Sequence, residues 1–150
     1  MNMNVTNLII SSNSCNDLKS LNLNEYRYLK SIEIGNDCFS NVDLFKIDRL
    51  NELKSLKIGD NSFTQQRDGN NQSRSFHILN CAKLKSIEIG RYSFSDYSGN
   101  FELINLPSLE SIKIGSIETD YSDSNNKGLS SNFFYSSFVV EGIIDVCIDE

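Results

Sequence analysis

The stretch LKSLKIG, residues 53–59, recurs in closely similar form at residues 29–35, 84–90 and 109–115. Each of these four copies has apolar residues at its first, fourth and sixth positions and a glycine at its seventh. Successive copies begin 24, 31 and 25 residues apart. A unit that recurs at such intervals, lengthened by insertions, is typical of a solenoid, in which each repeat stacks on its neighbours. We number positions within a copy from its opening apolar residue.

Two further copies extend the series. The N-terminal copy opens 24 residues before Leu29, and its first, fourth and sixth positions are Val5, Leu8 and Ile10. In a copy expected in the tail, the first, fourth and sixth positions are Ile143, Val146 and Ile148. The eleventh position is aromatic in three copies, at Phe39, Phe63 and Phe94. The chain is therefore expected to contain five to six repeats.

Each copy also has a second stretch in which apolar and polar residues alternate. These stretches are Leu21-Asn22-Leu23, Phe45-Lys46-Ile47, Phe76-His77-Ile78 and Phe101-Glu102-Leu103. Such alternation is typical of a strand with one buried face. The sequence therefore predicts a mainly β fold, with two columns of parallel strands, little helix and a single domain over residues 1–150. The glycines at position 7 are expected to bend the chain at a positive backbone angle.

Two polar insertions break the period. Residues 64–75 read TQQRDGNNQSRS, and residues 116–132 read SIETDYSDSNNKGLSSN. Both are poor in apolar residues and are predicted to be loops. The carboxylates of the second insertion lack the spacing of a calcium-binding loop and are expected to be solvated. The aromatic residues that follow it are expected to cover the end of the stack, and they are Phe133, Phe134, Tyr135 and Phe138.

Composition narrows the classes of function. Apolar residues make up 39% of the chain, which is enough to form a core. Against 20 acidic side chains stand 14 basic ones, so we expect no basic face for a nucleic acid. No apolar run is long enough for a membrane span, and the first residues lack the features of a secretory signal. The protein is expected in the cytoplasm, or outside the cell if it belongs to a longer exported protein.

The copies share more than apolar spacing. Leu53, Leu56 and Ile58 are followed by Asn61 at the ninth position and Phe63 at the eleventh, and this pattern resembles the leucine-rich repeat superfamily. The phrase IG-x-x-S-F, at residues 58–63 and 89–94, looks like the BspA-like branch of that superfamily. The family has asparagine at the ninth position, where it bonds the backbone of the turn, but three copies depart from this with Asp37, Tyr92 and Ile117. The resemblance implies a leucine-rich-repeat-like parallel β solenoid used for protein recognition.

Positions 3 and 5 of the opening strand are expected to point outwards and to form columns across the sheet. The third column is Asn7, Ser31, Ser55, Ser86, Ser111 and Asp145, and the fifth is Ile9, Glu33, Lys57, Glu88, Lys113 and Cys147. Charges alternate along the centre of the fifth column, about 4.8 Å apart. They are expected either to favour strand register or to bind a partner.

Exposed tyrosines are a second kind of candidate contact, because tyrosine supplies contact area at low entropic cost. Tyr92, Tyr97 and Tyr121 are considered, with core packing as the alternative for Tyr97. The predicted partner-binding residues are Ser31, Glu33, Ser55, Lys57, Ser86, Glu88, Tyr92, Ser111, Lys113 and Tyr121.

No residue cluster predicts a reaction, a cofactor or a metal site. His77, the single histidine, takes an outward position on the second stretch and is expected to be solvated. The cysteines Cys15, Cys38, Cys81 and Cys147 form no C-x-x-C pair and are expected to be reduced and buried. The first hypothesis is therefore a non-enzymatic scaffold that binds another protein. The alternatives are a structural segment that associates end to end and a cell-surface adhesion module.

Overall fold

A computed structural model describes residues 4–65, 70–115, 132–133, 136–143 and 147–149. These residues form ten strands and one short 3-10 helix, Leu23–Glu25. The strands are β1 (Asn7–Ile10), β2 (Ser31–Ile34), β3 (Leu44–Asp48), β4 (Ser55–Ile58), β5 (Ser75–Leu79), β6 (Ser86–Ile89), β7 (Asn100–Ile104), β8 (Ser111–Ile114), β9 (Ser137–Glu141) and β10 (Cys147–Asp149).

The strands form two parallel sheets. The first sheet has six strands in the order β1-β2-β4-β6-β8-β10, and the second has four in the order β3-β5-β7-β9. From β2 onwards the chain passes alternately from one sheet to the other, so equivalent residues of successive copies become neighbours. Ser31 lies opposite Ser55, and Ser55 lies opposite Ser86. The expected mainly β composition, with little helix and two columns of parallel strands, is confirmed.

Stacked aromatic rings fill much of the interior. The rings at position 11, Phe39, Phe63, Phe94 and Phe133, stack with centroids 4.7 to 5.1 Å apart. A second column runs along the second sheet through Phe45, Phe76, Phe101 and Phe138. The columns meet edge to face, as in the contact of Phe76 with Phe94. Each aromatic pair adds about 0.5–1.5 kcal/mol beyond the area that it buries, so the copies that carry these rings stabilise one another.

The turn after each main strand contains two left-handed residues. Position 9 has φ of 55° to 61° at Asn13, Asp37, Asn61 and Tyr92, and position 11 has φ of 55° to 63° at Cys15, Phe39, Phe63 and Phe94. The N–H of position 9 donates to the next copy, as from Asn61 to Arg91 O, whereas that of position 11 donates to the preceding copy. Asparagine and aspartate tolerate this conformation better than most residues, which accounts for their preference at position 9.

Side chains at position 10 tie each copy to the one before it. They donate to the carbonyl at position 7 of the preceding copy, from Cys38 to Ser11, Ser62 to Gly35, Ser93 to Gly59 and Asn132 to Gly90. The side-chain ladder of the turn therefore runs along position 10. Asn132 and Phe133 take positions 10 and 11 of the fifth copy, although we predicted Asn132 as loop and Phe133 as an end cover. The preceding residues 116–131 of that predicted loop lie outside the described part.

Three of the four glycines at position 7 lack the positive backbone angle predicted for them. Gly115 has a positive φ of 91°, but Gly35, Gly59 and Gly90 do not. A Cβ added to Gly59 would lie 2.8 Å from the carbonyl carbon of Gly35, and one added to Gly90 would lie 2.5 Å from that of Gly59. Glycine is required at Gly59 and Gly90 because successive copies bring their backbones into direct contact there.

Residues 21–23 do not form the strand predicted for them. The 3-10 helix Leu23–Glu25 stands there instead, packed beside β3. The side chain of Asn22 accepts from the N–H of Asn24 and donates to the carboxylate of Glu25, 3.0 Å away. Such local side-chain bonds compete with the strand ladder, so the first copy contributes no strand to the second sheet.

The last strand is paired two positions away from its predicted register. Cys147 lies opposite Ser111, Ile148 opposite Ile112 and Asp149 opposite Lys113. Cys147 thus belongs to the third column rather than the fifth, and Ile148 takes position 4 rather than position 6. A shift of two residues keeps every residue on the same face of a strand, so alternation alone could not distinguish the two registers. Asp145 and Val146 lie outside the described residues.

Candidate functional site

The outward face of the first sheet brings together most of the residues predicted to bind a partner. Ser31, Ser55, Ser86 and Ser111 are successive neighbours in strand register and are half-buried. The hydroxyl of Ser31 donates to Asn7 Oδ1 over 2.7 Å, which extends the column to β1. These hydroxyls form a polar row across the strands.

Beside the serines runs the fifth column. The register places Glu33 opposite Lys57, Lys57 opposite Glu88 and Glu88 opposite Lys113. In the backbone register of β10, Asp149 lies opposite Lys113 on the other side. Among the described residues no ion pair joins Glu33, Lys57, Glu88 and Lys113. The column balances its charge overall without holding individual side chains in place.

Position 2 carries a further column, separate from those at positions 3 and 5, that the sequence analysis missed. Lys30, Lys54 and Lys85 each precede a serine of the third column, and all three are exposed. Their backbones are hydrogen-bonded neighbours in successive copies. Lys54 N–H donates to Lys30 O and Lys85 N–H donates to Lys54 O, both over 2.8 Å. We call these three residues the lysine column. The recurring phrase LKS, at residues 29–31, 53–55 and 84–86, was the signal that could have revealed it.

One carboxylate lies within the electrostatic reach of the lysine column. Glu52 accepts a hydrogen bond from Lys83 Nζ over 3.0 Å. This bond from Lys83 lowers the pKa of Glu52, and the charges of Lys30 and Lys54 lower it further. Lys83, which comes from the neighbouring copy, is the hydrogen-bonded partner of Glu52. Lys30 and Lys54 act on this carboxylate only through their charge.

Neither of the two described candidate tyrosines, Tyr92 and Tyr97, forms an exposed contact surface. Tyr92 is only 9% exposed, and the Arg91 guanidinium lies 5.7 Å from its ring centroid. Tyr97 is buried, and its hydroxyl donates to Val42 O. The predicted exposure of Tyr92 is therefore wrong, since the turn directs it towards the protein. Tyr121 lies outside the described residues.

A buried ion cluster forms where the first insertion meets the second sheet. Arg74 is fully buried, with Nη1 2.6 Å from Asp96 Oδ2 and Nε 2.9 Å from Asp43 Oδ1. Its Nη2 donates to the carbonyls of Ser40 and Val42, and its guanidinium lies 5.0 Å from the ring centroid of Tyr97. The Asp43 side chain is 61% exposed and that of Asp96 only 6%, so Asp96 is the buried counter-charge. Arg74 lies outside the strands, as the predicted loop requires, although its side chain is buried, whereas Ser75, the last residue of that prediction, is the first residue of β5.

Asp96 also holds the two ends of the first insertion. Its Oδ2 accepts from Gln65 N–H over 3.1 Å, and its backbone carbonyl accepts from Asn71 N–H over 3.2 Å. Residues 66–69, between those two bonds, lie outside the described part of the chain. The ends of the insertion are thus anchored to one residue of the next copy.

His77 is part of a hydrogen-bonded row on the second sheet rather than a solvated side chain. Its Nε2 lies 2.9 Å from Ser75 Oγ, and its Nδ1 lies 3.3 Å from Glu102 Oε2. The order of groups is that of a serine–histidine–carboxylate relay. Ser75 and His77 are on one strand, and neither lines the apolar cavity beside Leu8 and Ile10 or the polar one beside Asn24 and Arg49. The arrangement links β5 to β7 across the sheet.

The thiols behave as small apolar groups where they are described. Cys38 and Cys81 are buried and free, as predicted, whereas Cys15 is free but only half-buried. Burial raises the pKa of the Cys81 thiol from 9.0 to about 11. Cys81 is therefore protonated at neutral pH and is a poor nucleophile.

The described residues hold neither a metal-binding cluster nor a membrane-spanning helix. They contain no group of three or more histidine, cysteine, aspartate or glutamate side chains placed to hold a metal ion. They also include no helix with the length and apolar character needed to cross a membrane. Comparison of the chain with known family models, with curated proteins and with solved structures found no match.

Proposed function

We propose that this chain is a non-enzymatic interaction module with a leucine-rich-repeat-like solenoid architecture, and that it binds another protein through the outward face of its first sheet. The observation that carries the proposal is the register of β2, β4, β6 and β8, which aligns chemically equivalent side chains into columns. Serine hydroxyls and alternating charges lie side by side on that face. A surface of this kind presents donors, acceptors and both signs of charge on a rigid frame.

The rigidity of the frame supports recognition in particular. Stacked rings lie beneath the face, and direct contacts between glycine backbones lie at its edge. A binding surface that does not reorganise loses less conformational entropy when a partner binds. Within the part of the chain that the structure describes, no ion pair joins Glu33, Lys57, Glu88 and Lys113, so their charged groups are available to a partner.

The test is a comparison of two charge-reversal variants in a cross-linking experiment. Lys57→Glu with Lys113→Glu changes the fifth column, and Lys46→Glu changes an exposed lysine of the second sheet. We expect a partner that cross-links to the unmodified protein to be lost with the double variant and kept with Lys46→Glu. If both variants keep the partner equally well, and circular dichroism shows both to be folded, the outward face of the first sheet does not bind the partner.

A second candidate function is end-to-end association, and the two ends of the stack favour it. Phe138 and Val140 lie opposite the buried Phe101 and Leu103, yet they are 58% and 51% exposed. At the other end, a cavity of about 140 Å³ is lined by apolar side chains that include Leu8, Ile10, Cys15 and Leu21. Both ends thus present apolar surface that a further copy would cover.

Light scattering coupled to size exclusion tests this second candidate. If the ends associate, the mass rises with protein concentration in the presence of reductant, and Phe138→Glu suppresses the rise because it places a charge in the joint. A mass that stays monomeric over a wide range of concentration would count against association.

A further inference from the structure

We infer that the lysine column, Lys30, Lys54 and Lys85, is a docking site for an extended acidic segment of a partner protein. This inference rests on the proposed function, because it names the chemistry of the partner that the first sheet binds. It is carried by three equivalent lysines on consecutive copies, all exposed and joined through backbone bonds of 2.8 Å.

The lysine column differs from the fifth column in one decisive respect, which is that it repeats a single sign. The backbones of neighbouring copies are about 4.8 Å apart, and two like charges held at that separation would repel by about 0.9 kcal/mol in bulk water. This spacing is shorter than the screening length of about 8 Å at physiological salt. The fifth column avoids such repulsion by alternation, whereas the lysine column accumulates it. An anionic partner would relieve the repulsion.

The groups around the column do not cancel its charge. Lys83 adds a fourth ammonium group, Glu52 is bonded to Lys83, and Glu110 follows Lys85 as the next member of position 2. Those four ammonium groups and two carboxylates together carry a charge of +2, in a chain whose net charge is -6. The basic surface is therefore a local feature and does not reflect the composition of the chain.

The surroundings favour an acidic peptide over a dense polyanion. Glu33 and Glu88 lie three positions further along the same strands, about 10 Å away, and would repel a ligand with negative charge along its whole length. The net charge of -6 acts in the same direction. A peptide carries carboxylates only at chosen positions, and the Ser31, Ser55 and Ser86 hydroxyls adjoin the lysines to bond its backbone or side chains. Lysine ammonium groups on flexible stems suit single carboxylates and require no fixed bidentate geometry.

The test measures binding of a short labelled peptide of alternating glutamate and serine by fluorescence polarisation. The first variant is Lys30→Gln with Lys54→Gln and Lys85→Gln. The matched control, with the same change of charge, is Lys19→Gln with Lys46→Gln and Arg49→Gln, all exposed elsewhere on the chain. We expect the first variant to weaken binding by about tenfold, as three exposed ion pairs would, and the control to change it by less than about twofold.

Three results would overturn the inference. Equal weakening by both variants would show that net charge alone attracts the peptide. Binding of the matching glutamine–serine peptide with similar affinity would show that carboxylates are not recognised. Tighter binding of a short single-stranded DNA than of the peptide would assign the column to polyanions. Because the column repels itself, removal of its charges is expected to leave the thermal midpoint unchanged or higher, so loss of folding will not obscure the result.

Failure of the inference is distinguishable from failure of the proposed function. If the glutamate–serine peptide does not depend on the lysine column, but the cross-linked partner still requires Lys57 and Lys113, the face binds a protein of other chemistry. If the peptide depends on the column while the cross-linked partner ignores Lys57 and Lys113, the docking site stands and the wider face does not.

Discussion

Two regions of the interior hold the copies together by opposite means. The phenylalanine columns repeat the same apolar contact in copy after copy, whereas the cluster around Arg74 occurs at one place and is built from charges. A ring such as Phe94 contacts rings of the copies before and after it. Arg74 instead joins the first insertion to Asp43 of the preceding copy and to Asp96 of the following copy. Repetition distributes stability along the chain, and the single cluster concentrates it at an irregular site.

The difference also concerns what a substitution leaves behind. A truncated ring leaves a cavity whose cost depends on how far its neighbours relax. A truncated arginine leaves a buried carboxylate without its counter-charge, and repacking of apolar neighbours does not replace that charge. The two regions should therefore respond differently to conservative and drastic substitutions.

Phe94→Ala should have the largest effect. Phe94 is fully buried and stacks on Phe63 and Phe133, and its loss should reduce the free energy of unfolding by about 4 to 5 kcal/mol. Urea denaturation monitored by circular dichroism measures the loss. Phe138→Ala is the matched control, because that ring ends its column and is largely exposed, and it should lose about 1 kcal/mol. Similar losses in the two variants would contradict the role given to ring stacking.

Arg74→Ala should rank second, with a loss of about 3 to 4 kcal/mol. The cause is the buried carboxylate of Asp96, which would lose its ion pair. The control is Arg49→Ala, which breaks the exposed pair with Asp48 and should change stability by less than about 1 kcal/mol. The same urea titration applies, and a loss at Arg74 no greater than that at Arg49 would show that the cluster is not a stabilising contact.

Raising the pH should lower the free energy of unfolding through ionisation of Cys81. The loss is at most about 3 kcal/mol for a difference of two pKa units between the folded and the unfolded protein. The folded thiol pKa is about 11 and the ordinary value is 9.0, so the folded state holds the proton more tightly. The stabilisation that comes from the protonated Cys81 thiol is complete below pH 9 and is lost as the pH rises through 11. Urea midpoints measured across this window should fall more steeply for the parent protein than for Cys81→Ala. Parallel curves would refute the assignment.

Tyr97→Phe should have the smallest effect, because Tyr97 stands where the two regions meet. Its ring contacts Phe94 edge to face, while its hydroxyl bonds Val42 O. Arg74 also donates to that carbonyl, so the substitution leaves no unsatisfied acceptor and should lose about 1 kcal/mol. Thermal unfolding suffices to measure it, and a loss comparable to that of Arg74→Ala would mean that the hydroxyl organises the cluster.

Sequence reasoning succeeded for the main strands and the ring columns, where repetition carried the information. The registers of β2, β4, β6 and β8, and the core positions of the phenylalanines, follow from aligning the copies. It failed where a local interaction has no counterpart in other copies. Asn22 bonds its own neighbourhood and removes a strand, and Arg74 is buried although its segment is polar throughout.

The candidate surface was predicted only in part, for two physical reasons. The serine and charge columns follow from strand alternation, but the lysine column lies at position 2, where the chain enters the strand and alternation does not yet apply. The burial of Tyr92 depends on a left-handed turn that periodicity does not encode. The register of β10 was misjudged because a strand shifted by two residues keeps the same face outwards.

The anchoring of both ends of the first insertion to Asp96 makes this corner a site for engineering. A foreign peptide placed between Gln65 and Asn71 would replace residues whose flanks are already held by the next copy. Closing a flexible loop costs only about 0.6 kcal/mol more for each doubling of its length. Grafted epitopes or recognition loops of quite different length should therefore be displayed there without disturbing the registers of the sheets.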